Sequence, residues 1–269
     1  MPDPGTLRPL LSIAAAMAVL LVAGAAALAH LAARSRLYST PWKSVLAQLA
    51  AASPWRGRDV WIVLLGLSFA QFVRHWLPTS TMLDVAAFQG ALIACIGWLA
   101  RAKTRPFGAA APAQSVVPQA ALRWLAVLPV IWFVSFTWQL LLVALGHVPD
   151  FQAAIHLFLE TSDPLRRAAF VVFAAVVAPI AEEALFRGLL LPLLVRRLGS
   201  GTGMALTAIG FAALHGDAGS FPGLAALSVA LSLAYARTGT LLVPVLMHAL
   251  FNGANLALLW ALARSGALG

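Results

Sequence analysis

Charged residues and cysteines are both scarce in this sequence. Only 10% of its 269 residues are charged, and Cys95 is the single cysteine. One cysteine excludes a disulfide framework and a cysteine cluster for zinc. The small charged fraction, set against 61% hydrophobic residues, also excludes an ordinary water-soluble globular domain. The composition therefore predicts a chain whose main solvent is a lipid bilayer.

Acidic residues are half as numerous as basic ones, 9 against 18, which leaves a net charge of +9. In a soluble protein this balance would point to nucleic acid. Here the basic residues lie in short connections between apolar runs, as do charges that orient membrane helices, and there are only two tyrosines. We therefore expect the lipid bilayer, and no nucleic acid, as the surroundings of the basic residues.

Long apolar runs predict the helices. The first run, Pro9 to Ala33, is too long for the apolar part of a cleaved signal peptide, so we expect it to remain as a transmembrane helix. The further runs are Val60 to Leu77, Leu83 to Ala100, Trp124 to Gly146, Ala168 to Val195, Gly203 to His215, Phe221 to Ala236 and Leu241 to Leu262. The fold predicted is an all-α, polytopic transmembrane bundle of about eight helices.

The connections between these runs differ in charge. Those within residues 34–58 and 101–123 are rich in lysine and arginine, whereas the connection between them is not. The positive-inside rule places the basic connections in the cytoplasm and both termini outside. Residues Gly108 to Gln119, rich in Ala, Pro and Gln, are expected to form a loop. This loop divides an N-terminal part, residues 1–120, from a second domain, residues 121–269.

Two adjacent glutamates lie in the middle of the fifth run. An ionisable residue inside a membrane span is costly unless it is paired or faces a polar cavity, so each one is a candidate for function. Glu183 and Arg187 are four residues apart and can form an ion pair on one helix face. Glu182 points about 100° away and remains available for chemistry. Pro179 should loosen the helix just before the glutamates.

Two further polar clusters follow in the last helices. Phe211 and His215 end one short run, and His248 and Asn252, again four apart, share a face of the last one. Counted from the cytoplasmic ends, Glu182, His215 and His248 all fall near the middle of the membrane. The sequence therefore favours one polar site shared by these helices.

These three clusters resemble the CPBP family, membrane proteases related to the type II CAAX prenyl endopeptidases and to bacterial bacteriocin-processing and immunity (Abi-like) proteins. The family is marked by Glu-Glu-x-x-x-Arg, Phe-x-x-x-His and His-x-x-x-Asn, in that order. The resemblance covers about Arg166 to Leu262 and implies a four-helix catalytic core in the second domain. Each motif alone is weak, but three in order on separate membrane helices are specific.

The resemblance implies an intramembrane endopeptidase, expected in the bacterial inner membrane. Glu182 and His215 would activate a water, His248 and Asn252 would hold the oxyanion, and Glu183 and Arg187 would support the site. The substrate would be a membrane protein, or a lipidated or other peptide. No cofactor is expected, because there is no His-Glu-x-x-His motif and asparagine is a poor zinc ligand. If zinc were bound, Glu182, His215 and His248 would be its ligands.

Two other classes of function remain open from the sequence. A noncatalytic membrane protein, of an immunity or interaction type, could keep the motifs as a network that holds helices together. A transporter could use buried carboxylates and histidines to relay protons, although the sequence shows no convincing inverted repeat and no second charged site in its front half. Substrate cleavage distinguishes the first alternative from a protease, and proton flux in vesicles distinguishes the second.

Overall fold

A computed structural model of the protein describes residues 4–35, 40–76, 81–147 and 153–266. These residues form 10 helices and no strand, so the predicted all-α architecture is confirmed. The helices are α1 (Pro4–Ser35), α2 (Trp42–Ala52), α3 (Gly57–His75), α4 (Thr81–Ala100), α5 (Ala113–Ala144), α6 (Ala153–Glu160), α7 (Pro164–Leu198), α8 (Ser200–Ala213), α9 (Phe221–Thr238) and α10 (Leu242–Arg264).

Among the described residues, five helices are long and apolar enough to cross a membrane, namely α1, α4, α5, α7 and α10. The remaining predicted runs form α3, α8 and α9. Leu77, where one predicted run ends, lies outside the described residues. A polytopic membrane protein is therefore confirmed, with each predicted run present as a helix.

The structure adds two short helices that the apolar runs do not predict, α2 and α6. Helix α2 has 11 residues, too few to cross a bilayer, and it buries Leu46 and Ala50 against the end of α7. Arg196 of α7 holds the C-terminal end of α2 by donating to the carbonyl of Ala50 at 2.7 Å. The length of an apolar run does not predict such a helix, because the helix is stabilised by packing.

The loop predicted over Gly108 to Gln119 is wrong in its second half. Helix α5 begins at Ala113, directly after Pro112, and contains Pro118. Val116 and Ala120 are buried in the core cluster that also holds residues of α8, α9 and α10. Tertiary packing of this first stretch therefore outweighs the helix-breaking tendency of its prolines.

Helix α7 carries the two glutamates on a short α-helical stretch, Ala178–Glu183, between two π-helical segments. The segments are Phe173–Val177 before it and Ala184–Leu190 after it. A π-helical turn holds an extra residue and is frequent at functional sites. Pro179, which has no amide hydrogen to donate, is the second residue after the first π segment. The backbone is thus irregular on both sides of Glu182 and Glu183.

Helices α7 and α8 are joined by a tight turn that brings their backbones together. Gly199, with a φ of +82°, separates them. A Cβ atom placed on Gly203 would lie 2.6 Å from the backbone nitrogen of Val195, so only glycine permits this approach. The turn folds α8 back along α7, and it thereby carries His215, just after α8, towards the middle of α7.

Candidate active site

Glu183 forms the buried centre of the site. Its Oε1 atom accepts a hydrogen bond from Nη1 of Arg187 at 2.8 Å, as the spacing of four residues predicts. The same oxygen lies 2.9 Å from Nδ1 of His248. Glu183 and Arg187 are both inaccessible to solvent. An ion pair buried to this degree needs further hydrogen bonds to offset the loss of hydration.

Arg187 obtains those further contacts from α9. Its Nη2 atom donates to the Ser228 carbonyl at 2.9 Å and to the Ser228 hydroxyl at 2.8 Å. The Ser232 hydroxyl donates to the same Ser228 carbonyl at 2.8 Å. The guanidinium also lies 4.7 Å from the ring centroid of Phe211, within the range of a cation–π contact. Arg187 therefore joins α7, α8 and α9 around the glutamates.

Glu182 faces another direction and is partly accessible, with 19% of its side chain exposed. Its Oε1 atom accepts a hydrogen bond from Nε2 of Gln89 in α4 at 3.2 Å. Its Oε2 atom lies 3.8 Å from Nε2 of His248 and 4.0 Å from Nε2 of His215. This Oε2 atom is itself buried and has no hydrogen-bond partner among the described residues. The carboxylate thus presents one unsatisfied oxygen to two imidazoles.

His215 follows α8 and is held by its own chain. Its Nδ1 atom lies 2.8 Å from the Phe211 carbonyl oxygen. Since that oxygen can only accept, Nδ1 carries the hydrogen, and Nε2 of the neutral imidazole keeps a free lone pair. The ring also packs against Phe211, with centroids 4.9 Å apart. The Phe-x-x-x-His motif therefore fixes both the orientation of this imidazole and its tautomer.

His248 is almost completely buried in α10, and its ring centroid lies 5.6 Å from that of Phe211. Its Nδ1 atom donates to the Glu183 carboxylate, so its Nε2 atom is the nitrogen that faces Glu182. The two glutamates therefore contact His248 through different nitrogens and have different roles. Glu183 orients His248, whereas Glu182 meets the opposite nitrogen of the same ring.

Asn252 lies one turn after His248 on the same helix but bonds elsewhere. Its Nδ2 atom donates to the Ala174 carbonyl at 2.8 Å, in the first π segment of α7. Ala174 is about two turns before Glu182. A primary amide has two hydrogens to donate, so one remains beyond this bond. The structure thus brings Glu182, His215 and His248 together, whereas the hydrogen bond of Asn252 joins α10 to α7 at Ala174.

Three further residues of the site, Gln89, Ser228 and Ser232, lie outside the motifs of the sequence. Each is a polar side chain inside an apolar run, and all three are buried. Ser228 and Ser232 are four residues apart, which is a weak signal of a polar helix face. Gln89 carried no comparable signal, because it meets its partner 93 residues away in the chain.

A cleft of about 330 Å³ opens beside the site. It lies between α3 and α4 on one side and α7 and the end of α8 on the other. Apolar side chains form most of its lining, namely Val85, Phe88, Leu92, Leu185, Phe186 and Leu214. Glu182, His215 and Gln89 also line it, whereas His248 is not among its lining residues. A mostly apolar cleft with a few convergent polar groups is the usual form of a ligand site.

The distances between these side chains can be compared with those between the ligands of a zinc ion. Two ligands of one tetrahedral zinc lie about 3.3 Å apart, given metal–ligand bonds of about 2.0–2.1 Å. The Glu182 oxygen lies 3.8 and 4.0 Å from the two imidazole nitrogens. Among the described residues, no group of three His, Cys, Asp or Glu side chains is placed to hold a metal ion.

The fold and the site define a class, a polytopic helical membrane protein with a carboxylate and two imidazoles meeting between its helices. Residues 164–254 match the family model described as type II CAAX prenyl endopeptidase, Rce1-like. This segment therefore carries a domain of the CAAX protease family, as its motifs predict, and that family implies an intramembrane protease. No curated protein and no solved structure matches the chain.

The matched segment runs from the start of α7 into α10. It includes both glutamates, Arg187, both histidines and Asn252. Helices α1 to α6 lie outside it. Gln89 is thus contributed to the site by a part of the chain that the family model does not cover.

Proposed function

We propose that this protein is an endopeptidase that hydrolyses a peptide bond of a membrane-associated substrate with a water activated by Glu182 and His215. One observation carries the proposal. The Oε2 atom of Glu182 is buried, has no hydrogen-bond donor among the described residues and lies 3.8–4.0 Å from Nε2 of both His248 and His215. A buried carboxylate oxygen left without a partner is costly, and a bound water satisfies it.

A water held there can be made nucleophilic. It would donate one hydrogen to Glu182 Oε2 and the other to Nε2 of His215, whose lone pair is free. Glu182 takes a proton as the water oxygen attacks the peptide carbonyl carbon. The resulting tetrahedral intermediate then collapses, and the proton held by Glu182 passes to the leaving amine. The carboxylate is thereby regenerated for the next cycle.

The negative charge on the carbonyl oxygen requires donors. Nε2 of His248 can donate when the ring is an imidazolium, because Nδ1 already donates to Glu183. The cluster then has no net charge, because the carboxylates of Glu182 and Glu183 balance two cations. The cations are Arg187 and His248. The second amide hydrogen of Asn252 would supply a further donor. Preorganised donors of this kind lower the barrier because they need no rearrangement during reaction.

The cleft favours an apolar substrate. Its aromatic and aliphatic lining suits a large apolar side chain or an attached lipid next to the scissile bond. This is consistent with a membrane protein or a lipidated peptide as substrate. Chains that lie in the bilayer would reach the cleft without leaving the lipid.

The proposal is tested by searching for the substrate in cells. Membranes from cells expressing the wild type or Glu182→Gln are compared by quantitative proteomics. We expect at least one membrane-associated protein to accumulate uncleaved in the variant, because glutamine cannot accept the proton from water. Glu160→Gln serves as the matched control, since Glu160 is exposed at the end of α6.

The control should yield the wild-type fragment pattern. If Glu182→Gln accumulates in the membrane and leaves every fragment unchanged, the protease proposal is wrong. The polar cluster would then be a network that holds helices together.

We propose further that the reaction needs no metal ion. The distances from Glu182 to the imidazoles favour a water over zinc, and Asn252 is a poor ligand for zinc. Purified protein is therefore expected to retain more than about half of its activity after prolonged dialysis against a strong chelator, measured on the substrate found above. Loss of activity that zinc alone restores would overturn this proposal.

A further inference from the structure

Gln89 is the side chain of α4 that reaches Glu182. It is buried, with 7% of the residue exposed, and its Nε2 atom donates to Oε1 of Glu182 at 3.2 Å. The orientation of the amide is decided by its partner. A carboxylate oxygen can accept but cannot donate, so the NH₂ group of Gln89 must face it.

The carbonyl end of the same amide is unpaired within the described part of the chain. The Gln89 Oε1 atom is buried and accepts no hydrogen bond from the described residues. Gln89 also lines the cleft, between the apolar Phe88 and Leu92. An amide carbonyl buried without a donor is destabilising, and such groups in native proteins call for an explanation. A ligand in the cleft whose N–H group donates to this carbonyl oxygen would explain why it is unpaired.

The chemistry of the substrate supplies that group. A peptide must be locally extended at its scissile bond before a water can reach the carbonyl carbon. A membrane helix that unwinds leaves backbone N–H groups without acceptors, and in lipid each of these is expensive. An acceptor fixed beside the catalytic carboxylate compensates one of them. The unpaired carbonyl oxygen of Gln89 fits this requirement.

We propose that Gln89 acts through both ends of its amide, in a role that rests on the protease function proposed above. Its N–H group fixes Glu182 with Oε2 turned towards the imidazoles, which makes it a positioning residue. Its carbonyl oxygen accepts a hydrogen bond from a backbone N–H of the unwound substrate next to the scissile bond. The amide thereby couples substrate binding to the orientation of the catalytic carboxylate.

Two substitutions separate these effects. Gln89→Glu keeps an oxygen acceptor at the same length but loses the N–H donor when ionised, so kcat should fall about 10- to 100-fold with KM changed less than twofold. Gln89→Met removes donor and acceptor while keeping the length of the side chain. It should show the same fall in kcat together with a KM increased about fivefold.

The kinetics are measured with purified full-length protein and a synthetic peptide that spans the cleavage site. Gln48 is exposed on α2, so Gln48→Glu and Gln48→Met serve as matched controls and should leave kcat and KM unchanged. A second peptide carries an ester in place of the amide that follows the scissile bond. It should raise KM about fivefold for the wild type and hardly at all for Gln89→Met.

The outcomes distinguish this proposal from the protease function itself. If the wild type cleaves, Glu182→Gln does not, and both Gln89 variants match the wild type, the role of Gln89 is wrong while the protease stands. If Gln89→Met does not fold, the kinetics of Gln89→Glu alone test the proposal. Wild-type values of kcat and KM in Gln89→Glu would then overturn it. If the wild type cleaves no membrane substrate, the proposed protease function is wrong, and the proposed role of Gln89 is wrong with it.

Discussion

The double variant Glu182→Gln/His215→Ala is expected to cleave substrate no more slowly than Glu182→Gln alone, about 10²- to 10⁴-fold below the wild type. Glu182 Oε2 and Nε2 of His215 lie 4.0 Å apart, and both residues line the cleft. If both side chains hold the same water, removing either one prevents activation of that water. Removing the second side chain then lowers the rate little further. Residues that act as a unit show this strong departure from additivity.

The rates are measured with purified protein in detergent or in lipid vesicles, alongside thermal unfolding of each variant. His147→Ala is the control, because His147 is exposed and its ring lies 3.2 Å from the carbonyl oxygen of Leu145, two residues before it. It should retain full activity. Effects of Glu182→Gln and His215→Ala that multiply in the double variant would show that the two side chains act independently, against the shared water.

Arg187→Met is expected to lower the free energy of unfolding by about 3–5 kcal/mol, or to prevent the protein from accumulating. The substitution leaves the carboxylate of Glu183 buried without its cation. It also leaves the Ser228 carbonyl and hydroxyl without the donor they bond at 2.9 and 2.8 Å. An uncompensated buried charge is among the most destabilising changes a single substitution can make.

Thermal unfolding in detergent and the yield of membrane-inserted protein provide the measurement. Arg166→Met is the matched control, since the Arg166 side chain is 79% exposed. Its partner at 3.4 Å, Asp163, is also exposed. Its effect should stay within about 0.5 kcal/mol. Glu183→Gln/Arg187→Met should recover part of the lost stability, because no unpaired charge is then buried. A single variant as stable as the control would contradict the ion-pair role.

The membrane-length helices could be predicted from composition because lipid imposes a simple rule. A segment that crosses the bilayer must be mostly apolar along about 20 residues, so α1, α4, α5, α7 and α10 appear as long apolar runs. Helix α2 could not be predicted by that rule, since it is stabilised by Arg196 and by core packing. The start of α5 could not be predicted by it either, because burial of Val116 outweighs the helix-breaking tendency of the local prolines.

The site could be predicted in part. The spacing of Glu183 and Arg187 defines their ion pair within one helix, and Phe211 with His215 likewise forms a local unit. Gln89 could not be found this way. Its contact with Glu182 depends on how α4 packs against α7, which no local pattern encodes.

The sequence by itself determined that this chain lies in a membrane, where its long apolar helices run, and which side chains are too polar to be there without a reason. Those properties follow from transfer free energies and helical periodicity, which act residue by residue. Only the tertiary structure decided that one glutamate orients His248 while its neighbour faces the cleft, and that α4 supplies an amide to it. Such assignments depend on distances between helices far apart in the chain, and these are set by packing of the whole bundle.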